Sequence, residues 1–319
     1  MYVEAGGKRL FAILTRPPGP SRDLGVLILG GGGYMFSAQR NRLPVRMSRR
    51  FAAEGLPALR FDYAGTGDSG GAPPPMYRLT EPFAEQGEAA GRALEGAGVD
   101  RYVLVGNCFG ARSALAVAPR LAGVEGVVLI VPPVGNMEQG QGTMVSRLGA
   151  GMSLRSFAWQ GVRQLWRGVV VQRRFRKHLR RAIVGVRLAF RAAVARITKR
   201  FRSRDSRWQW LSRQFVAAVD HLVQRRVPIL VIYGETDAHL AHFRRAASSG
   251  PLADVLARAG DLFEVRTLGG EIEGFATLEA QEAVLGMIHE WVLRRAGQLE
   301  AADGPSAVAA ASEGPGRPA

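Results

Sequence analysis

Cysteine is nearly absent from this chain of 319 residues: Cys108 is the only one. An intramolecular disulfide is thereby excluded, and such usage suits a reducing compartment. Histidine is scarce too, with five in all and none between His242 and His289. Long hydrophobic runs are missing. The longest uncharged apolar stretch, Leu24 to Ala38, is broken by four consecutive glycines, so no segment reads as a membrane span. Glu4, Lys8 and Arg9 leave no apolar core near the start, which does not read as a secretory signal, and the cytoplasm is the expected location. Acidic residues all but vanish from one region. Between Arg147 and Arg213 there are nineteen Lys or Arg and a single acid, Asp205, so that this segment carries +18 of a net +16 and the remainder is close to neutral.

The lone cysteine stands in a pattern. Residues 106–110 read Gly-Asn-Cys-Phe-Gly, a G-x-S-x-G turn with cysteine in the serine place. The run before it, Tyr102 to Gly106, reads as a buried strand, and Ala111 to Leu121 reads as a helix. Side chains at Gly106 or Gly110 would collide with the adjoining strand and helix. Such a turn aims Cys108 outward at a helix N-terminus, whose dipole favours a thiolate. The alternative reading of Cys108 is a small buried apolar residue.

Short β-branched or leucine-rich runs recur with helical segments between them. The strands expected are Leu10–Leu14, Val26–Leu29, Pro57–Phe61, Tyr102–Val105, Val127–Val131, Ile229–Tyr233 and Phe263–Leu268. Helices fit Gln39–Glu54, Pro82–Glu95, Phe109–Leu121 and Leu278–Arg295. The later strands are continuous apolar runs, as in parallel strands covered on both faces, and the alternation indicates a doubly wound sheet with ligands at the carboxyl ends of its strands. Residues 140–222 interrupt this rhythm with helical pattern alone, which sets the expected domains: a core over 1–139 and 223–298, a basic helical cap over 140–222, and a disordered Pro/Gly-rich tail over 299–319.

Further features fall where acyl transfer needs them. Gly30-Gly-Gly-Gly33-Tyr34 follows a strand, and its N–H groups could meet a developing oxyanion together with the N–H of Phe109. No Gly-Lys-Ser/Thr follows, so the loop is not a P-loop. Phe61-Asp-Tyr-Ala-Gly-Thr-Gly-Asp-Ser69 is a tight turn on any reading, and Gly234-Glu-Thr-Asp237 puts a carboxylate at a strand end. In this order and spacing the chain resembles the α/β-hydrolase superfamily from about residue 8 to 296. The Gly-Gly-Gly-Tyr loop, the F-D-Y turn and the placing of the cap look most like the bacterial hydrolases associated with exosortase and exopolysaccharide gene clusters. The resemblance implies an α/β-hydrolase fold, a doubly wound mostly parallel sheet with an inserted helical cap. It also implies Cys108 as nucleophile, Asp237 as the acid of the triad, and Gly32 with Phe109 as oxyanion hole. A solvated turn aspartate is the plain alternative for Asp237.

The pattern breaks at the base. The family's histidine lies after the last strand, just before a Gly-Phe or similar pair; here that stretch is Leu268-Gly-Gly-Glu-Ile-Glu-Gly-Phe275, and Glu273 holds the histidine's place. Two carboxylates in one pocket raise one pKa and disfavour a thiolate, whereas histidine would take the nucleophile's proton and return it to the leaving group. A protonated Glu273 could serve as general acid. His239 or His242 could turn toward the nucleophile, Arg112 on the next helical turn could offset the acidic charge, and cysteine needs less activation than serine.

In the basic segment the apolar residues Phe175, Leu179, Ile183, Val186, Phe190, Val194, Ile197 and Phe201 recur at steps of three and four, one helical face amid arginine and lysine. On the first reading that face packs over the site as a cap. The same segment, 147–213, with Trp159, Trp166, Trp208 and Trp210, could also lie on an anionic membrane, giving a peripheral place on its inner face. Nucleic acid ranks last, since no recognised motif accompanies the charge. The expected function is hydrolysis or transfer of an ester- or thioester-linked acyl group, on a small-molecule or acyl-chain substrate, without metal or organic cofactor, for which no ligand cluster or dinucleotide fingerprint appears. The competing function is a catalytically degenerate binding protein that meets anionic membrane or acidic partners through the cap.

Overall fold

The structure, a computed structural model, describes residues 1–31, 36–38, 42–72, 77–78, 83–136, 138–139, 208–272, 275 and 277–302. The chain divides into two compact units, Met1–Met137 with Leu211–Ala319, and Glu138–Trp210. In the second unit the described side chains are those of 208–210, where the rings of Trp208 and Trp210 lie 6.2 Å apart. The apolar stripe from Phe175 to Phe201 lies outside the described residues.

The first unit is built on an eight-stranded sheet. Its strands are β1 (Tyr2–Ala5), β2 (Lys8–Thr15), β3 (Leu24–Leu29), β4 (Ala58–Phe61), β5 (Arg101–Asn107), β6 (Val124–Ile130), β7 (Ile229–Gly234) and β8 (Phe263–Leu268), in the order β1-β2-β4-β3-β5-β6-β7-β8. From β4 to β8 all neighbours are parallel. β2 runs antiparallel to both β1 and β4. The β1–β2 hairpin turns through Gly6 and Gly7 at φ 54° and 72°, the two left-handed residues that a tight hairpin turn requires. β1, at one edge of the sheet, was not among the expected strands; its residues alternate exposed and buried where all four of β4 are buried.

The central strands are apolar throughout because helices cover both faces. Every residue of β3, β4 and β7 is buried, while β8, at the sheet edge, is half-exposed and carries Glu264 and Arg266. The helices are α1 (Leu43–Ala53), α2 (Ala84–Glu95), α3 (Phe109–Val117), α4 (Arg213–Gln224), α5 (Ala238–Ala247), α6 (Pro251–Ala259) and α7 (Leu278–Ala302). α3 is the most enclosed, with all but one of its nine residues buried. It starts directly from the centre of the sheet, at the end of β5.

Two expected boundaries move. Residues 211–222, placed in the insertion by their helical pattern, fall in the first unit: α4 buries Phe215, Val219, Leu222 and Val223 and packs on α3 and α6. The last helix continues to Ala302, past the expected tail boundary at 299, because Leu299 is still buried; residues 303–319 lie outside the described set. Among the described residues no helix is long and apolar enough to cross a membrane.

Candidate active site

The turn between β5 and α3 has the conformation its sequence requires. Cys108 is the residue before the helix, with φ 49° and ψ −113°, a region that non-glycine residues rarely occupy. Its N–H donates to the Ile130 carbonyl of β6 (2.8 Å), and its carbonyl accepts the Ala111 N–H (3.1 Å). A Cβ on Gly110 would run into the Gly30 and Leu29 carbonyl oxygens, and one on Gly106 into the Gly110 carbonyl and the Ala111 nitrogen. Strand and helix therefore meet with no room for a side chain at either flank, and the strained residue between them is held partly exposed. Val131, next to the carbonyl that holds Cys108, is also left-handed, at φ 47°, a marked outlier for a β-branched residue.

Phe109 is fully buried. Its ring packs with Phe83 (5.4 Å between centroids) and, edge to face, with Tyr63 (6.5 Å). Gly30 and Gly31 open the glycine loop; Gly32 lies outside the described residues.

Asp237 caps the end of β7 and precedes α5. It is 3% exposed, so the solvated-turn alternative is excluded. Each carboxylate oxygen has a backbone donor, Gly234 N–H to Oδ2 (2.6 Å) and Ile272 N–H to Oδ1 (3.0 Å). These bonds tie the β7 end to the loop that follows β8 and meet the cost of burying the charge. Burial, with Asp237 close by, pushes the Tyr233 hydroxyl well above its usual range, and that hydroxyl donates to Pro132 O (2.8 Å).

Glu273 lies outside the described residues, but its neighbours are anchored. Ile272, one residue before it, is the donor to Asp237, and the Phe275 carbonyl accepts Gln281 Nε2 (3.0 Å). His239 is buried on the first turn of α5, its ring 6.4 Å from that of exposed His242. His289 is elsewhere, on α7 beside Phe51 and 3.3 Å from Glu54; burial, then Arg50, holds its pKa below the usual value against the pull of Glu54.

Arg112 is 3% exposed, and burial brings its pKa down to about 10, which leaves it charged at neutral pH. Its guanidinium donates to Ser212 Oγ (2.6 Å) and Pro133 O (3.2 Å) and lies over the Phe215 ring. Ser212 in turn caps α4 through the Phe215 N–H. Arg112 thus joins the elbow helix to the points where the chain leaves and re-enters the first unit. The expectation had it offsetting acidic charge beside Cys108; the bonds just described attach it to that junction.

Sequence reading missed the importance of Asp62, which it treated as part of a turn. This carboxylate is 3% exposed and accepts the N–H groups of Ser37 and, at 3.2 Å, Asp68. Arg60, also buried, donates to Ser37 Oγ (3.3 Å) and reaches its carbonyl at 3.5 Å. Tyr63 donates to the Gly30 carbonyl (3.3 Å). The signal available in the sequence was the pair of glycines at 65 and 67: both have positive φ (73° and 54°), and a Cβ on Gly67 would strike the Asp62 carboxylate. Among the described residues no group of three or more potential ligands could hold a metal ion.

The fold, the elbow and the carboxylate at the end of β7 define the class, and the chain belongs to the alpha/beta hydrolase family, whose model matches residues 26–266. Solved structures similar to it include a proline iminopeptidase of Mycobacterium smegmatis (16% identity over 92% of this chain and 98% of that one, TM-score 0.50). They also include Est1E of Butyrivibrio proteoclasticus with bound ferulic acid (16%, 93% and 99%, TM-score 0.52) and an esterase of Pyrococcus furiosus (13%, 92% and 89%, TM-score 0.53). At these identities the likeness is one of fold. No curated protein matches the sequence.

Proposed function

We propose that this protein hydrolyses or transfers an ester- or thioester-linked acyl group through Cys108. The observation that carries the reading is the left-handed backbone of Cys108, clamped between two glycines at the start of α3. Strain of this kind is kept where it serves a site, and the helix N-terminus favours the thiolate that would attack. In the proposed reaction the Cys108 sulfur bonds to the acyl carbon. The carbonyl oxygen becomes an oxyanion met by the N–H groups of Phe109 and Gly32, and the leaving group departs with its electron pair. Water or another acceptor then takes the acyl group and restores the thiol.

The missing histidine decides which leaving groups suit this site. An alkoxide must be protonated as it leaves; a thiolate departs on its own. Thioesters and aryl esters are therefore favoured over alkyl esters. The proposal takes Asp237 as the group that orders the loop bearing Glu273, and Glu273 as the acid that lends a proton. His239 and His242 are the accessory candidates. The narrower likeness to exosortase- and exopolysaccharide-associated hydrolases stands at the same level, carried by Gly30–Tyr34 and Phe61–Ser69. So does contact of the basic segment with an anionic membrane.

The test compares the wild-type chain with Cys108→Ala on a panel of acyl thioesters, aryl esters and alkyl esters of graded chain length. Turnover should fall in that order and vanish in the variant. Equal rates for the two proteins across the panel would leave the binding reading, which the glutamate in the histidine's place favours. A second expectation concerns the base. Glu273→His should raise turnover of alkyl esters by roughly ten- to a hundredfold, within the range of general acid–base catalysis, measured as kcat/KM. An unchanged rate would place position 273 outside the chemistry.

A further inference from the structure

We infer that Asp62 and Tyr63, the two residues that follow β4, are positioning residues for the glycine loop, holding it at both ends; this rests on the acyl-transfer reading of Cys108. The loop leaves β3 at Gly30 and is described again from Phe36. At its start the Tyr63 hydroxyl donates to the Gly30 carbonyl (3.3 Å). At its end the Asp62 carboxylate accepts the Ser37 N–H, while Arg60 donates to the Ser37 hydroxyl (3.3 Å). Three residues within a four-residue run of one strand end thus grip both ends of a loop some thirty residues earlier in the chain.

The same tyrosine reaches the other half of the site. Tyr63 is 1% exposed, and its ring meets Phe61 (5.0 Å between centroids), Phe83 (4.7 Å) and Phe109 (6.5 Å). One side chain therefore touches the residue whose N–H follows Cys108 and bonds the loop proposed to supply the second donor. A donor that drifts by about 1 Å loses most of its effect on a transition state. Asp62 is in turn built into the sheet: its backbone N–H donates to Phe11 O (2.9 Å), and its carbonyl accepts Ser69 Oγ (2.6 Å), which also takes the Phe11 N–H. The brace is anchored on β2, away from the loop it holds.

The experiment uses two reactions of the same thiol in the full chain. Acylation by an aryl ester passes through an oxyanion and needs both donors. Alkylation by iodoacetamide displaces iodide at a saturated carbon and needs neither. Tyr63→Phe removes one oxygen and keeps the ring packing. It should slow Cys108 acylation about tenfold or more, mainly in kcat, and leave alkylation within about twofold, since small displacements of a catalytic group have effects of this order. Asp62→Asn should lower the same ratio. Should that variant fail to fold, Tyr63→Phe alone carries the test. A wild type that is acylated, with Tyr63→Phe acylated equally fast, overturns the inference and spares the acyl-transfer reading. Acylation and alkylation falling together would also overturn it, because that is general damage to the elbow. A wild type that is alkylated and never acylated overturns both.

Discussion

Gly110→Ala should cost this protein about 3 kcal/mol, the upper end of what overpacking a close-packed site costs, although it adds one methyl group. For a chain of this size that is a fall in thermal midpoint of about 5 °C. Gly110 does not have a left-handed backbone, so the cost is one of space alone. The added carbon would press on the carbonyl oxygens of Leu29 and Gly30, and these are backbone atoms of a central strand that cannot rotate away. Relief would come from moving α3 off β3, which would draw Cys108 out of its bond to Ile130 and shift the first residues of the glycine loop. A control distinguishes this from any effect of glycine in a helix. Gly286, within α7, has open space at its Cβ position, and Gly286→Ala should add about 0.5–1 kcal/mol through helix propensity. Differential scanning calorimetry of the two variants reads both signs. A Gly110→Ala protein melting within 2 °C of its parent, on the estimate above, would mean that the elbow is looser than its geometry indicates.

The elbow was legible in the sequence because its constraint is local. Two glycines either side of one residue, between an apolar run and a helical one, state a steric requirement within five positions, and the structure has that requirement at Gly106 and Gly110. Asp237 was legible as a place, the end of an apolar strand, and its burial was not, since its donors include Ile272, 35 residues away. The grip of Asp62 on Ser37 spans 25 residues and left no trace beyond a glycine-rich turn. Arg112 illustrates the same limit over a longer distance. Its bond to Ser212 crosses 100 positions, and charge alone suggested a nearer partner. The α4 helix was assigned to the wrong unit for a related reason. Residues 213–222 continue the helical pattern of the segment before them, and that pattern cannot say which surface Phe215, Val219 and Leu222 will cover. The family membership follows from the parts that are local; the ties that hold the site in place are mostly not.

Cys108→Ser should lower kcat/KM on thioesters by about a thousandfold or more, a loss of the kind seen when a serine nucleophile works without its base. The reason lies in the residue at 273. A serine hydroxyl is far too weak an acid to ionise near neutrality and depends on an imidazole to take its proton; a cysteine is already a few per cent thiolate there, and more at a helix N-terminus. In this chain the histidine's place holds a carboxylate, and on the proposed function sulfur would supply by its own acidity what the family's base would otherwise supply. Oxygen is close to sulfur in shape, and the melting temperature should change little, which separates loss of chemistry from loss of fold. The pH dependence should follow the same logic: the wild-type rate rises as the thiol ionises, with no inflection from an imidazole. Joining the two changes makes the argument exact in sign. Cys108→Ser with Glu273→His should recover part of the lost activity, so that the pair is less damaged than the serine variant alone, a coupling that independent sites would not show. A serine variant within tenfold of wild type would sink the account. It would mean that a base already serves position 108, and the buried His239, two residues beyond Asp237, would be the one to test next.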